Sequence, residues 1–213
     1  VCLLIRKYPE AGAFATAYEV VNEKSEVVIP KSVLNIPNGW EGIVDDYFRL
    51  ALDTPLITAS SVVIPKKVFN EAGLFREYLK RGEDSEMWCR IALNYDIAFS
   101  NNVGATYFCN ADNRACNREI VLNEYFANYV EDLLVKERKA KEYSVFFEEY
   151  MIKEIINKAR YYIDNNKRRI AIKLLCKYRY TKCNKKELIK TFILSLLPKT
   201  VVTMFRKVRN KFR

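Results

Sequence analysis

Gly82-Glu83-Asp84-Ser85-Glu86-Met87-Trp88-Cys89-Arg90-Ile91-Ala92-Leu93-Asn94-Tyr95 joins a glycine hinge and two adjacent carboxylates to an amphipathic run. Trp88, Ile91, Ala92 and Tyr95 fall at i, i+3, i+4 and i+7, the spacing of one buried helix face. A helix is expected over 85–95, with Asp84 one turn before Trp88 and near the same face. A carboxylate at a helix amino terminus is kept ionised by unpaired N–H groups and the helix dipole, so it remains a base at neutral pH. Within hydrogen-bond reach of a hydroxyl nucleophile, such a group accepts its proton. Acidic residues also cap helix starts, and for the dipeptide alone capping is the commoner role.

Just upstream, Pro65 opens a short predicted helix that runs through Ala72 and ends at Gly73. Residues 56–64 are apolar and β-branched around Ser60-Ser61, which predicts a buried strand with a polar interruption. Gly39, Trp40 and Gly42 mark a loop before an amphipathic helix expected over 44–52. Residues 13–20 read as a buried strand, 26–30 as a second, and 1–7 as a last helical turn closed by Tyr8-Pro9. That opening resembles a helix end, so an amino-terminal portion is expected ahead of Val1.

Downstream, strands at 97–100 and 105–109 precede a polar loop over 110–117. Helices are then predicted over 118–141, 144–165, 168–178, 185–197 and 199–212. The chain therefore divides into an α/β part, 1–117, and a basic α-helical part, 118–213.

Of the 213 residues, 50% are hydrophobic and 13% aromatic, enough for a sizeable core. Charge is uneven: residues 151–213 hold 19 Lys/Arg against 3 Asp/Glu, whereas 1–150 hold 17 against 23. Such a segment suits an anionic partner, phospholipid or nucleic acid, or forms the solvated face of a helix bundle. The chain has no histidine, which removes Ser-His and Cys-His nucleophilic catalysis. Acid–base chemistry is left to carboxylates, Lys, Tyr or Cys. The cysteines, at 2, 89, 109, 116, 176 and 183, include no C-x-x-C pair and read as reduced thiols of a cytosolic protein. Val1 to Ile5 is too short an apolar run for a secretory signal, and Arg6-Lys7 follow it. The best candidate span, 192–197, stops at Pro198, short of the roughly 20 residues that cross a bilayer.

Several words of sequence then fall in one order. They are Lys7-Tyr8-Pro9-Glu10-Ala11-Gly12-Ala13, Ser60-Ser61-Val62-Val63-Ile64-Pro65-Lys66, Phe69 with Gly73-Leu74-Phe75, Gly82-Glu83-Asp84 with Trp88 and Arg90, and Asn94-Tyr95-Asp96-Ile97-Ala98. Together they resemble the acceptor-side half of the inverting glycosyltransferases of family 2, over a span from the first residues to about Arg114. The resemblance implies a partial GT-A fold, a mixed-sheet nucleotide-sugar transferase architecture, followed by the helical region. It implies an enzyme of the hexosyltransferase type that moves a sugar from a nucleotide-diphosphate donor to a glycan or lipid-linked hydroxyl, as in bacterial polysaccharide and cell-envelope biosynthesis.

In that resemblance Asp84 is the catalytic base and Glu83 a supporting or acceptor-binding carboxylate. Trp88 lies in the cleft wall, Ser60 and Ser61 line the cleft, and Arg90 pairs with a carboxylate or phosphate; a structural ion pair for Arg90 and buried strand-end hydroxyls for the serines stay open beside those roles. Asn113-Arg114 match polar positions near the donor diphosphate. Family members use Mg2+ or Mn2+ at an Asp-x-Asp motif, and no Asp-x-Asp occurs in the chain. Asp45-Asp46, on a predicted helix start, read as caps. The chain is therefore expected to be an incomplete enzyme lacking the nucleotide-binding half.

The basic end has its own pattern. Leu188, Ile189, Phe192, Ile193 and Leu196 form an apolar face, continued by Val201, Phe205, Val208 and Phe212 among Lys199, Arg206, Lys207, Arg209, Lys211 and Arg213. A helix so patterned lies in a membrane interface over anionic headgroups. The expected location is cytoplasmic, with peripheral attachment at the inner face of the membrane. A bundle whose apolar faces pack on one another accounts by itself for the helices before Pro198, and less well for the last helix with its unbalanced positive charge. A non-catalytic basic module binding nucleic acid is the competing reading. Against it, the aromatic residues sit at core-like helical spacing, so nucleic acid is not expected as partner.

Overall fold

The run Ala13-Phe14-Ala15-Thr16-Ala17-Tyr18 sends alternate side chains to opposite faces of a strand, and all six are buried, which demands an interior position. The computed structural model describes residues 1–110, 119–140, 144–198 and 201, and in it this run is the centre of a mixed sheet. The elements in chain order are α1 (Cys2–Lys7), β1 (Ala13–Val21), β2 (Val27–Val28), α2 (Lys31–Leu34), β3 (Glu41–Ile43), α3 (Tyr47–Leu50), β4 (Val62–Val63), α4 (Lys66–Ala72), α5 (Glu83–Asn94), β5 (Ile97–Phe108), α6 (Val130–Ala140), α7 (Val145–Asp164), α8 (Arg168–Lys177) and α9 (Lys185–Leu196). The sheet order is β2-β1-β5-β3, and β4 also pairs with β1. β1 and β5 are parallel; the other pairings are antiparallel. The architecture is mixed α/β.

Strand alternation divides the interior in two. Ala13, Ala15, Ala17, Ile97 and Phe99 face the larger core, whereas Phe14 and Ala98 meet Leu4 of α1 and Ala11 on the other side. Gly12 holds the two ends of this layer together. A Cβ there would lie 2.3 Å from the Cβ of Tyr95, so only glycine lets the turn before β1 close against the end of α5.

The structure departs most from the expected elements at four places. The strand predicted over 56–64 shrinks to Val62–Val63. Ser61 folds the chain instead, its N–H donating to the Thr58 carbonyl at 3.0 Å and its hydroxyl accepting from the Thr58 N–H at 3.1 Å, while Leu56 and Ile57 are buried without a ladder. The helix predicted over 44–52 contracts to α3. Its start is set by Asp46, whose Oδ1 accepts from the Arg49 N–H, and the preceding loop supplies β3.

The two strands predicted over 97–109 are one. β5 absorbs extra residues as irregularities in register opposite Thr16 to Tyr18, and the Asn101 amide donates to the carbonyl of Ile36 at 2.7 Å. Lastly, the helix predicted from 118 begins only at Val130. Residues 122–128 form two 3-10 turns because the backbone at Glu124 and Phe126 is taken by Lys80 and Arg81, through bonds of 2.8, 3.1 and 3.0 Å. Asn113, Arg114 and the helix predicted over 199–212, except Val201, lie outside the described residues.

The helical part continues the same core. Phe147 and Tyr150 of α7 meet Phe48 edge-on, with ring centroids 5.0 and 5.6 Å apart, and Tyr47 packs against Tyr150. Ser144 caps α7 through its hydroxyl, which also donates to Asp46, so one contact joins the starts of α3 and α7. The core crosses the expected boundary at 117/118 without interruption.

Within the helical part Glu149, only 5% exposed, organises the turn before α9. It accepts from Thr181 Oγ1, the N–H groups of Lys182 and Cys183, and Asn184 Nδ2. Burial pushes this carboxyl up, but the hydrogen bonds outweigh burial and hold it below the ordinary carboxylate range. A depressed folded value contributes stability above the unfolded value of about 4.3, and that contribution is lost as pH falls through the folded value. Glu149→Gln is expected to lower stability at pH 7 by about 1.5–3 kcal/mol and to lose less than the native chain between pH 7 and acid, read by urea unfolding at each pH.

Candidate active site

The start of α5 is shaped from both sides. Gly82 adopts φ +76°, and a Cβ on it would come within 3.0 Å of the Phe126 Cβ, so the turn needs glycine for conformation and for space. Arg81, the residue before it, bridges to Tyr125. The segment leading out of the α/β part therefore packs directly against the start of α5. Its first turn carries Glu83, Asp84 and Glu86.

Glu83 and Asp84 are both partly exposed. Asp84 Oδ1 accepts from the Ser85 N–H at 2.6 Å and from the Ser85 hydroxyl at 3.3 Å. The charge of Asp84 reaches groups in three other elements. Tyr18 of β1, which donates its hydroxyl to the Pro55 carbonyl at 2.9 Å, is pushed up to about 12 by burial first and then by the charge of Asp84 and by Tyr107. Tyr47 of α3 is pushed well up by burial, with Cys89 and Asp84 adding to it. Tyr150 of α7 is likewise raised by burial and by Tyr47.

The fourth group is Glu154 of α7. It keeps some solvent contact although protein encloses it, and Asn157 Nδ2 donates to it at 3.3 Å. Burial is the main reason its carboxyl is raised; Lys153 and the Asn157 hydrogen bond oppose, and Asp84 raises it further. The same field reaches Tyr125, whose phenol burial and Glu154 push up. Chemically this is one partly exposed carboxylate at a helix start, a second carboxyl that burial favours in its neutral form, and phenols that stay protonated across the ordinary pH range.

Glu154 was not among the residues expected from sequence. It lies in a helix that reads as an appendage, yet it shares the stripe of Phe147, Tyr150 and Lys158, all buried, and an acid on that stripe is the signal.

Three of the other expected site residues, Trp88, Arg90 and Ser61, are engaged in packing or hydrogen bonds of the fold. Trp88 is 2% exposed, inside the core, its ring edge-on to Phe75 at 6.1 Å, so its indole faces packing rather than solvent. Arg90 fills the structural role left open for it: Nε and Nη2 each donate to Glu86 at 2.8 Å, and Nη1 and Nη2 reach the carbonyls of Ala72, Gly73 and Leu74. It thereby closes the end of α4 on α5. Ser61 is buried in its turn with Thr58, and Ser60 is exposed.

Among the described residues no group of three Cys, Asp or Glu side chains is placed to hold a metal ion, and Asp46 is engaged as a cap. The chain matches no protein-family model, no curated protein and no solved structure.

Proposed function

We propose that the chain carries the acceptor side of a family 2 inverting glycosyltransferase of GT-A type. In this reading Asp84 removes the proton of an acceptor hydroxyl as its oxygen bonds to the anomeric carbon of a nucleotide-diphosphate sugar. The bond from that carbon to the diphosphate breaks on the opposite side, and the nucleoside diphosphate leaves. The observation that carries the reading is the setting of Asp84, a partly exposed carboxylate on the first turn of α5 whose charge reaches Tyr18 and Glu154. In this reading Glu83, adjacent and also partly exposed, binds an acceptor hydroxyl.

The surroundings suit a glycan or lipid-linked acceptor. Leu74 is 71% exposed and Tyr78 51%, with Phe75 also exposed and in contact with Trp88 one turn along α5 from Asp84. Clustered exposed apolar and aromatic groups of this kind mark binding surfaces. No described residue is assigned to the donor. The test is a transfer assay on the full-length gene product with labelled UDP-, GDP- and dTDP-hexoses, the product's anomeric configuration being read by NMR coupling. Inverted product is expected, and a product of retained configuration overturns the proposal.

A further inference from the structure

Helix α9 is apolar on the wrong side. Its inward residues are Leu188, Thr191 and Ser195, exposed 8%, 0% and 2%. Both hydroxyls are satisfied at home: Thr191 donates to the Glu187 carbonyl at 2.7 Å and accepts from Arg160 Nε, and Ser195 donates to the Phe192 carbonyl at 2.6 Å. Facing outward are Ile189 at 51%, Ile193 at 52% and Leu196 at 61%, spaced four and three residues apart, so that they form one continuous stripe. Lys185, Lys186 and Lys190 are exposed on the same side, and the helix's one acid, Glu187, is engaged by Arg160 and Lys190. Packing of the bundle uses Leu188, with Phe192 and Leu194 partly buried against it, and among the described residues the stripe is left uncovered. No helix among the described residues is long and apolar enough to cross a membrane.

A run of three aliphatic side chains in water is unfavourable unless something covers it, and the lysines beside it select an anionic cover. We infer that this stripe is a docking face for an anionic lipid bilayer, with Ile189, Ile193 and Leu196 in the boundary between headgroups and acyl chains and Lys185, Lys186 and Lys190 on the lipid phosphates. α9 then lies in the plane of the interface, as its short length and two-sided pattern require. Nucleic acid fits less well, because the stripe is aliphatic and offers no ring for a base to stack on. The inference stands independently of the role given to Asp84.

The test is flotation of the full chain with vesicles of phosphatidylcholine alone or with phosphatidylglycerol. The native chain is expected to float with the anionic vesicles and much less with the neutral ones. Ile189→Ser with Ile193→Ser should weaken partition at least about tenfold, and Lys185→Gln with Lys186→Gln and Lys190→Gln about a hundredfold. These positions are on the exposed face, so unchanged thermal unfolding identifies variants that fold normally. Undiminished flotation of the serine variant overturns the proposal, whatever other basic residues contribute. So does equal binding to neutral vesicles. A lipid-free dimer that Ile193→Glu dissociates would give the stripe to a second copy, and binding of random duplex DNA without flotation would give the lysines to nucleic acid; either result overturns it.

Discussion

On the proposed function, Asp84→Asn in the full-length gene product is expected to lower sugar transfer by about 10²–10⁴-fold, the usual worth of a general base, with donor affinity unchanged. That loss corresponds to about 3–5.5 kcal/mol of barrier. Asparagine has the same shape and keeps an oxygen for the Ser85 N–H, which donates to Asp84 Oδ1 at 2.6 Å, so the start of α5 should survive. What is lost is the capacity to take a proton. The nearby phenols cannot substitute: Tyr18 is raised to about 12, and Tyr47 and Tyr150 are also raised, all mainly by burial. The only neighbouring alternative among these groups is Glu154, which separates the outcomes. If Glu154 were the base, Glu154→Gln would abolish transfer and Asp84→Asn would spare it. A second readout does not depend on turnover. Asp84 adds to the burial that raises Glu154, so in Asp84→Asn the Glu154 carboxyl should titrate closer to the ordinary range when followed by NMR.

Phe147→Ala is expected to destabilise the entire described structure by about 3–5 kcal/mol, a large share of the 5–15 kcal/mol typical of a domain. Phe147 is fully buried, and its ring meets Phe48 of the α/β part edge-on at 5.0 Å. Truncation removes that contact and opens a cavity between α3 and α7. The two tryptophans, Trp40 and Trp88, both lie in the α/β part, 107 and 59 residues before the substitution. Their fluorescence therefore reports a region that the mutation does not touch in sequence. With one continuous core, tryptophan fluorescence and far-ultraviolet circular dichroism should shift together to a lower urea midpoint. A fluorescence midpoint that stays put while helical signal is lost early would mean two independently stable units.

How much of this was legible depends on how local each signal is. α4 and α5 could be placed because Pro65, Gly73, the Gly82 hinge and the i, i+3, i+4, i+7 spacing act within a turn or two of chain. β1 was legible from its unbroken burial, and α7 to α9 from their period. The carboxylates of the candidate site were visible too, since Glu83-Asp84 stands at a helix start in the sequence itself. Glu154 was hidden because its neighbour is 70 residues away, and Arg90 could not be divided between ligand and scaffold until Glu86 and the 72–74 carbonyls were seen around it.

By itself, then, the sequence determined the periodic helices, the glycine and proline stops between them, the basic bias of residues 151–213 and the acidic start of α5. These follow from steric and hydrophobic preferences that each short segment carries wherever it is placed. Tertiary structure decided the rest. It turned 122–128 away from helix because Lys80 and Arg81 claim that backbone, merged two expected strands into β5 because β1 offers a long parallel partner, and brought Glu154 toward Asp84. It also left Ile189, Ile193 and Leu196 outside while burying Thr191 and Ser195. Each of these outcomes depends on a partner far along the chain, and no local preference can encode which of two apolar faces will find one.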